Sequence, residues 1–220
     1  MKHCFVFCFF IIVATSSNGQ RKHKAPVAYQ DTLSVRLSPM GLIDIFDGNF
    51  TPGISYAFNA RWTISADISG IFYSSYLPQN THALGYIFKP AIRYYLSDSR
   101  KVFMETALFY KNVNYKLHDW IDRDVVNGVP AYREEAVFHF RKQVVGLNMQ
   151  GGFQKGLSRD NLLRIEIFAG IGIRYKRQDL KNLPGAKYTP DNFFFDETIY
   201  GSSEFSFGVP HGLRLVYVIK

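Results

Sequence analysis

From residue 32 onward the chain alternates apolar and polar residues with period two, the pattern of strands whose two faces meet different surroundings. Over 84–96 one face carries Leu84, Tyr86, Phe88, Pro90, Ile92, Tyr94 and Leu96, and the other Gly85, Ile87, Lys89, Ala91, Arg93 and Tyr95. The same division runs through 61–73, 163–176 and 204–219, and more weakly through 32–40, 50–58, 101–113 and 138–154. The pattern therefore predicts eight strands. Gly151-Gly152 in the sixth suggests a bulge.

The connections between these runs alternate in length. They are about nine residues at 41–49, two at 59–60, about ten at 74–83 and about four at 97–100. Then come about two dozen at 114–137, about seven at 155–161 and about two dozen at 177–203. Long and short connections thus fall at opposite ends. This predicts an all-β fold: an eight-stranded antiparallel up-and-down transmembrane β-barrel with short periplasmic turns and long extracellular loops. A soluble sandwich or ligand-binding barrel shares the period but has no reason to sort its loops by end.

Period two does not say which face is inside, so residue choice has to. The polar set is rich in Gly, Ser, Thr and Ala with isolated charges, as a crowded barrel interior prefers. The apolar set is layered. Phe58, Trp62, Tyr94, Phe153 and Tyr217 lie near the short turns; Phe50, Phe72, Tyr86, Tyr110, Tyr175 and Phe205 lie near the long loops, with aliphatics between. Two aromatic girdles around an aliphatic band are expected of a surface facing lipid. On this reading Arg36, Asp67, Lys89, Arg93, Glu105, Arg164, Glu166, Arg174 and Arg214 line an interior just wide enough for side chains to fill. They are expected to form an ion-pair plug, the alternative being a narrow conduit that favours anions. His211 is the polar exception on the apolar face of its run.

Composition narrows the classes without choosing among them. The 220 residues are 47% hydrophobic, 16% aromatic and 20% charged, which excludes a disordered chain, and the net charge of +8 fits several partners. Residues 1–19 read as a secretory signal: Met1-Lys2-His3 is basic, 4–14 is apolar, and a small polar stretch ends at Gly19. The expected organisation is a signal at 1–19, a periplasmic tail at 20–30 and the barrel at 31–220. Both cysteines, Cys4 and Cys8, fall in the leader, so no disulfide is expected after its removal.

A cleavable signal, eight strands and loops of alternating length resemble the small outer-membrane barrels typified by the membrane domain of OmpA and by OmpX. The stretch Pro90-Ala91-Ile92-Arg93-Tyr94-Tyr95-Leu96, followed by a tight polar turn, is similar to porin-like barrel families of Bacteroidetes with no assigned activity. The resemblance implies an integral protein of a Gram-negative outer membrane, monomeric and non-enzymatic, which displays its loops outside the cell. Such barrels usually end in an aromatic residue, whereas this sequence ends Tyr217-Val218-Ile219-Lys220.

The chemistry searched for is sparse. Ser74, Ser75 and His82, then His118 and Asp119, then Ser202, Ser203 and Glu204 are the candidates for an acyl-transfer site, and none has motif spacing. Gly170-Ile171-Gly172 lacks the third glycine and following helix of a dinucleotide site, and the histidines are dispersed, so no cofactor or metal is expected. Lys111, Lys116, Arg141, Lys142, Lys176 and Arg177 gather at the outer rim, at the height of lipopolysaccharide phosphates. A solvated rim fits the same residues. Loops 114–137 and 177–203 are the expected surfaces for an extracellular partner, the second carrying Phe193-Phe194-Phe195 as a partner surface or a cap. Nucleic acid is not an expected partner. A narrow pore, a lipid-modifying enzyme and a soluble ligand-binding barrel are the rival functions.

Overall fold

The computed structural model describes residues 32–43, 47–75, 80–181, 183–189 and 203–219. The expected leader and tail and Phe193-Phe194-Phe195 lie outside these residues. Nine strands are assigned: β1 Thr32–Ser38, β2 Asp47–Ala57, β3 Trp62–Ser74, β4 Asn80–Tyr95 and β5 Val102–Arg123, then β6 Tyr132–Gly156, β7 Leu163–Lys181, β8 Ser203–Gly208 and β9 His211–Ile219. A 3-10 turn, Pro39–Ile43, follows β1, and no α-helix occurs among the described residues.

Each strand pairs antiparallel with its sequence neighbour up to β7, which pairs with both β8 and β9, and β9 returns to β1. The sheet therefore closes into a ring. β8 and β9 are a single strand in all but one bond. Gly172 opposite Gly208 and Ala169 opposite His211 keep one register, and the Gly170 amide donates to the Pro210 carbonyl at 2.8 Å. Pro210 has no N–H to return, which interrupts the ladder without shifting it. The ring thus has eight strand positions, as the periodicity predicts.

The apolar face points outward. Ile68 and Ile167 are 57% and 59% exposed, whereas Arg93 and Glu166 are 3% and 1% exposed. The girdle side chains share that outer face and touch across neighbouring strands. Trp62 and Tyr94 have ring centroids 4.9 Å apart, Tyr86 and Tyr110 5.9 Å, and Tyr175 and Phe205 5.1 Å. Cross-strand aromatic pairs of this kind each stabilise a sheet by roughly 0.2–1 kcal/mol.

Several expected loops are strand instead. The stretch 114–137 is mostly ladder: β5 runs to Arg123 and β6 starts at Tyr132, paired residue by residue. Its tip closes at Val126 and Val129, each amide donating to the other's carbonyl at 3.0 Å around Asn127 and Gly128, both with positive φ. Asn-Gly suits such a two-residue turn, and that dipeptide is its signal in the sequence. β7 extends through 177–181, and β4 begins at Asn80, inside the expected loop 74–83. The bulge expected at Gly151-Gly152 is absent, since pairing runs unbroken on both sides. Gly152 is needed for space: a Cβ there would overlap the Phe103 ring and the Ile167 carbonyl. A bulge sits instead at Phe72, between the Gly48–Tyr73 and Asn49–Ile71 pairs, so Phe72 and Tyr73 both face out.

The extended strands change polarity along their length. Tyr110, Val145 and Tyr175 lie side by side on the outer face of β5, β6 and β7. The next outer residues upward are Asn112, Gln143 and Arg177, again side by side. Below this line the outer face is apolar, with Leu108, Leu147 and Ile173, and above it mostly polar, with Lys116 and His118 beside the exposed Trp120 and Val137. The inner face inverts in the opposite sense, and Val113, Tyr115, Leu117, Ile121, Phe138 and Phe140 form a buried apolar core above the line. Residues after β7 cross over this core. Asp122 and Lys187 exchange backbone hydrogen bonds at 2.9 Å, and the Tyr188 ring packs edge-on against Phe138 at 5.0 Å while its hydroxyl donates to Asp119 at 2.7 Å.

Candidate functional site

The closed ring brings inward positions of six strands to one level. Strand register supplies two pairs directly, Arg93 opposite Glu105 and Glu166 opposite Arg214. Closure supplies the rest. Arg93 donates to Glu105 Oε2 from Nε at 2.8 Å and grips Glu166 with both terminal nitrogens, at 2.5 and 2.8 Å. Arg214 Nη1 lies 2.9 Å from Glu105 Oε1 and 3.7 Å from Glu166 Oε2. Arg36 donates to Asp67 at 3.2 Å and lies 3.7 Å from Glu105. Three arginines and three carboxylates therefore balance. Burying such charges is costly unless they pair, and here the pairing is supplemented by Gln150, a further donor to Glu105, while Arg36 Nε, Asp67 Oδ1 and Arg214 Nε stay without hydrogen-bond partners among the described residues. The guanidinium carbons of Arg93 and Arg214 also stand 3.8 and 3.9 Å over the rings of Phe103 and Phe168.

Six of the nine expected interior charges meet here. Arg164, Lys89 and Arg174 also lie on the inner face but outside this cluster. Arg164 lines a small cavity of about 20 Å³ below it, toward the short turns. Lys89 and Arg174 line a larger cavity of about 530 Å³ above it. Arg100 was not anticipated: from a positive-φ position in the 97–100 turn it reaches inward, donating to Thr63 Oγ1 at 2.5 Å over the Tyr95 ring at 4.0 Å. Nothing in a turn sequence Ser-Asp-Ser-Arg signals that an arginine will fold back into the ring.

The expected rim cations divide between the two faces. Lys111 and Lys142 point inward, Lys111 bonding Asp47, and Lys176 is on the inner face of β7, bonding Glu204 at 2.6 Å. Lys116, Arg141 and Arg177 are on the outer face, Arg141 donating to Asn112 at 3.0 Å and Arg177 lying 2.9 Å from Asp179. The spread follows from strand parity, since 111, 142 and 176 continue the inward series. At the opposite end Arg61, in the short turn before β3, is held above the usual arginine range by the Tyr94 hydroxyl and by Asp98, to which it donates at 3.2 and 3.0 Å.

The acyl-transfer candidates do not assemble around one base. His118 pairs with Glu135 at 3.5 Å, and Asp119 takes the Tyr188 hydroxyl instead of orienting an imidazole. Ser203 and Glu204 are on β8, with Glu204 bonded to Lys176, and Ser202 lies outside the described residues. His211, the polar exception, is bonded: its Nδ1 donates to the Val209 carbonyl at 2.9 Å, a local bond within its own strand segment. Comparison of the chain with models of protein families, with curated proteins and with solved structures finds no match in any of the three.

Proposed function

We propose that the chain is an integral outer-membrane β-barrel, closed to free passage by its interior ion cluster, whose extended β5–β6 hairpin and crossing segment project beyond the membrane to do any recognising. One observation carries this reading: the outer face turns from apolar to mostly polar at one height across β5, β6 and β7. A single solvent offers no reason for such a boundary, whereas a hydrocarbon layer meeting water does. From Trp62 to Phe72 the strand covers about 33 Å at ~3.3 Å per residue, or about 25 Å normal to the layer at ~40° tilt, the height of an outer-membrane apolar band.

The absence of conduction follows from the charges. Arg93, Glu105, Glu166 and Arg214 link four strands across the interior between the two cavities. Freeing a path would separate paired charges in a narrow, poorly hydrated space. The test is heat-modifiable gel mobility of the membrane fraction combined with planar-bilayer recording. A folded barrel migrates faster unheated and adds no conductance above the bare bilayer. A chain that stays soluble without detergent refutes membrane insertion, and steady channels refute closure.

A further inference from the structure

Among the described residues the strand pairing of the ring is incomplete on one side. β1 stops at Ser38, and its last partner on β9 is Leu215. Above that level, residues 211–214 of β9 and the whole of β8 have β7 on one edge and no strand on the other among the described residues, while the chain leaves the wall through the 3-10 turn. The 530 Å³ cavity reaches this gap. β4 lines it with Ile87, Lys89 and Ala91, alternate positions and therefore one face, but 209–214 line it with consecutive residues, as only a strand edge can. Met40 of the 3-10 turn completes the rim.

The same cavity is lined by charges of both signs, and its carboxylates are already taken: Asp47 bonds Lys111, Asp67 bonds Arg36, and Glu105 belongs to the ion cluster. With three arginines matched to three carboxylates in the ion cluster, Lys89 and Arg174 remain. Neither forms an ion pair among the described residues. Asp67, the cross-strand neighbour of Lys89, is engaged by Arg36, and Arg174 Nε is buried without an acceptor. Both cations flank one ring, Lys89 Nζ at 5.7 Å and Arg174 Cζ at 5.0 Å from the Phe109 centroid. Two cations that converge on one ring, and that the lining carboxylates do not pair, define a place for an anion. Phe168, Pro210 and Leu213 give the rest of the cavity apolar surface, and its volume is that of ordinary small-molecule sites.

We propose that this cavity binds a single-chain amphiphile with an anionic head, the head held between Lys89 and Arg174 and the chain directed through the gap beside β8 and β9. The inference rests on the membrane reading, since the gap then opens toward hydrocarbon, from which such a molecule enters without crossing water. The outer face of β8 at this place is unusually bare, with Phe207 91% exposed.

The test is calorimetric titration of the full chain in neutral-detergent micelles with dodecanoate, with acetate and with dodecanol, subtracting titrations into empty micelles. Saturable binding of one dodecanoate is expected, with acetate and dodecanol each at least about tenfold weaker. Lys89→Gln and Arg174→Gln should each weaken dodecanoate about tenfold, and Arg61→Gln, in an exposed turn, should not. Dodecanol binding as tightly as dodecanoate refutes the cationic site, and acetate doing so refutes the apolar part. These comparisons need no variant, so a misfolded mutant does not leave the matter open. Heat-modifiable mobility of the same sample separates the two readings: a folded barrel that ignores dodecanoate refutes the site alone.

Discussion

Arg93 on β4 and Glu166 on β7 face each other across the interior, the guanidinium donating through Nη1 and Nη2 to the two carboxylate oxygens at 2.5 and 2.8 Å. The pair lies in a cluster whose charges cancel, so its loss is a matter of balance as well as of contact. Arg93→Met leaves Glu105 and Glu166 short of a partner and should cost about 3–5 kcal/mol. Removing both ends, Arg93→Met with Glu166→Leu, leaves two arginines with two carboxylates and should recover much of that loss. The heat at which gel mobility changes from folded to unfolded measures both; a double variant as unstable as the sum of the singles overturns the charge-balance account.

The polarity boundary on the outer face predicts position-dependent tolerance of charge. Ile167→Arg, in the apolar band, should destabilise the ring by about 2–4 kcal/mol. His139→Arg, outward on β6 above the boundary, should change stability by less than about 0.5 kcal/mol. Equal effects at the two sites, measured in refolding from denaturant into lipid vesicles, would remove the case for a hydrocarbon layer.

Gly152 holds open the space in which the Phe103 ring supports Arg93. Gly152→Val should displace that ring and cost about 1–3 kcal/mol by overpacking. Gly70 is the control, because a Cβ there meets nothing within 4 Å. Gly70→Ala should leave the unfolding transition where it is.

At the tip of the β5–β6 hairpin Gly128 has φ +82°, a conformation that costs a side-chain-bearing residue about 1–2 kcal/mol. Gly128→Val should open the tip to added protease on intact cells, with cleavage near residues 126–129, while the mobility of the folded ring is unchanged. A ring that also loosens would show the hairpin to be part of the closed sheet's stability instead of a projection from it.

Much of this was legible in one dimension. The inward series that includes Arg93 and the outward series that includes Tyr94 are distinguished by parity alone. Residue type then told which series faces outward. Misreadings came where the polarity of a face reverses without the strand ending. Asn114, Lys116 and His118 look like loop because they replace an apolar outer face, yet Val113, Tyr115 and Leu117 continue the period on the inner side. The same parity moves Lys111, Lys142 and Lys176 to the interior.

What the amino-acid sequence determined by itself is the sorting of side chains into an inner and an outer set, because successive Cβ atoms alternate across a strand whatever the rest of the chain does. Only the tertiary structure decided that Arg93 finds Glu166, 73 positions away, that β1 ends before it can pair with residues 211–214 of β9, and that Lys89 and Arg174 form no ion pair among the described residues. Those outcomes depend on register and ring closure, which are set by all the strand pairs together and are written in no single stretch of the chain.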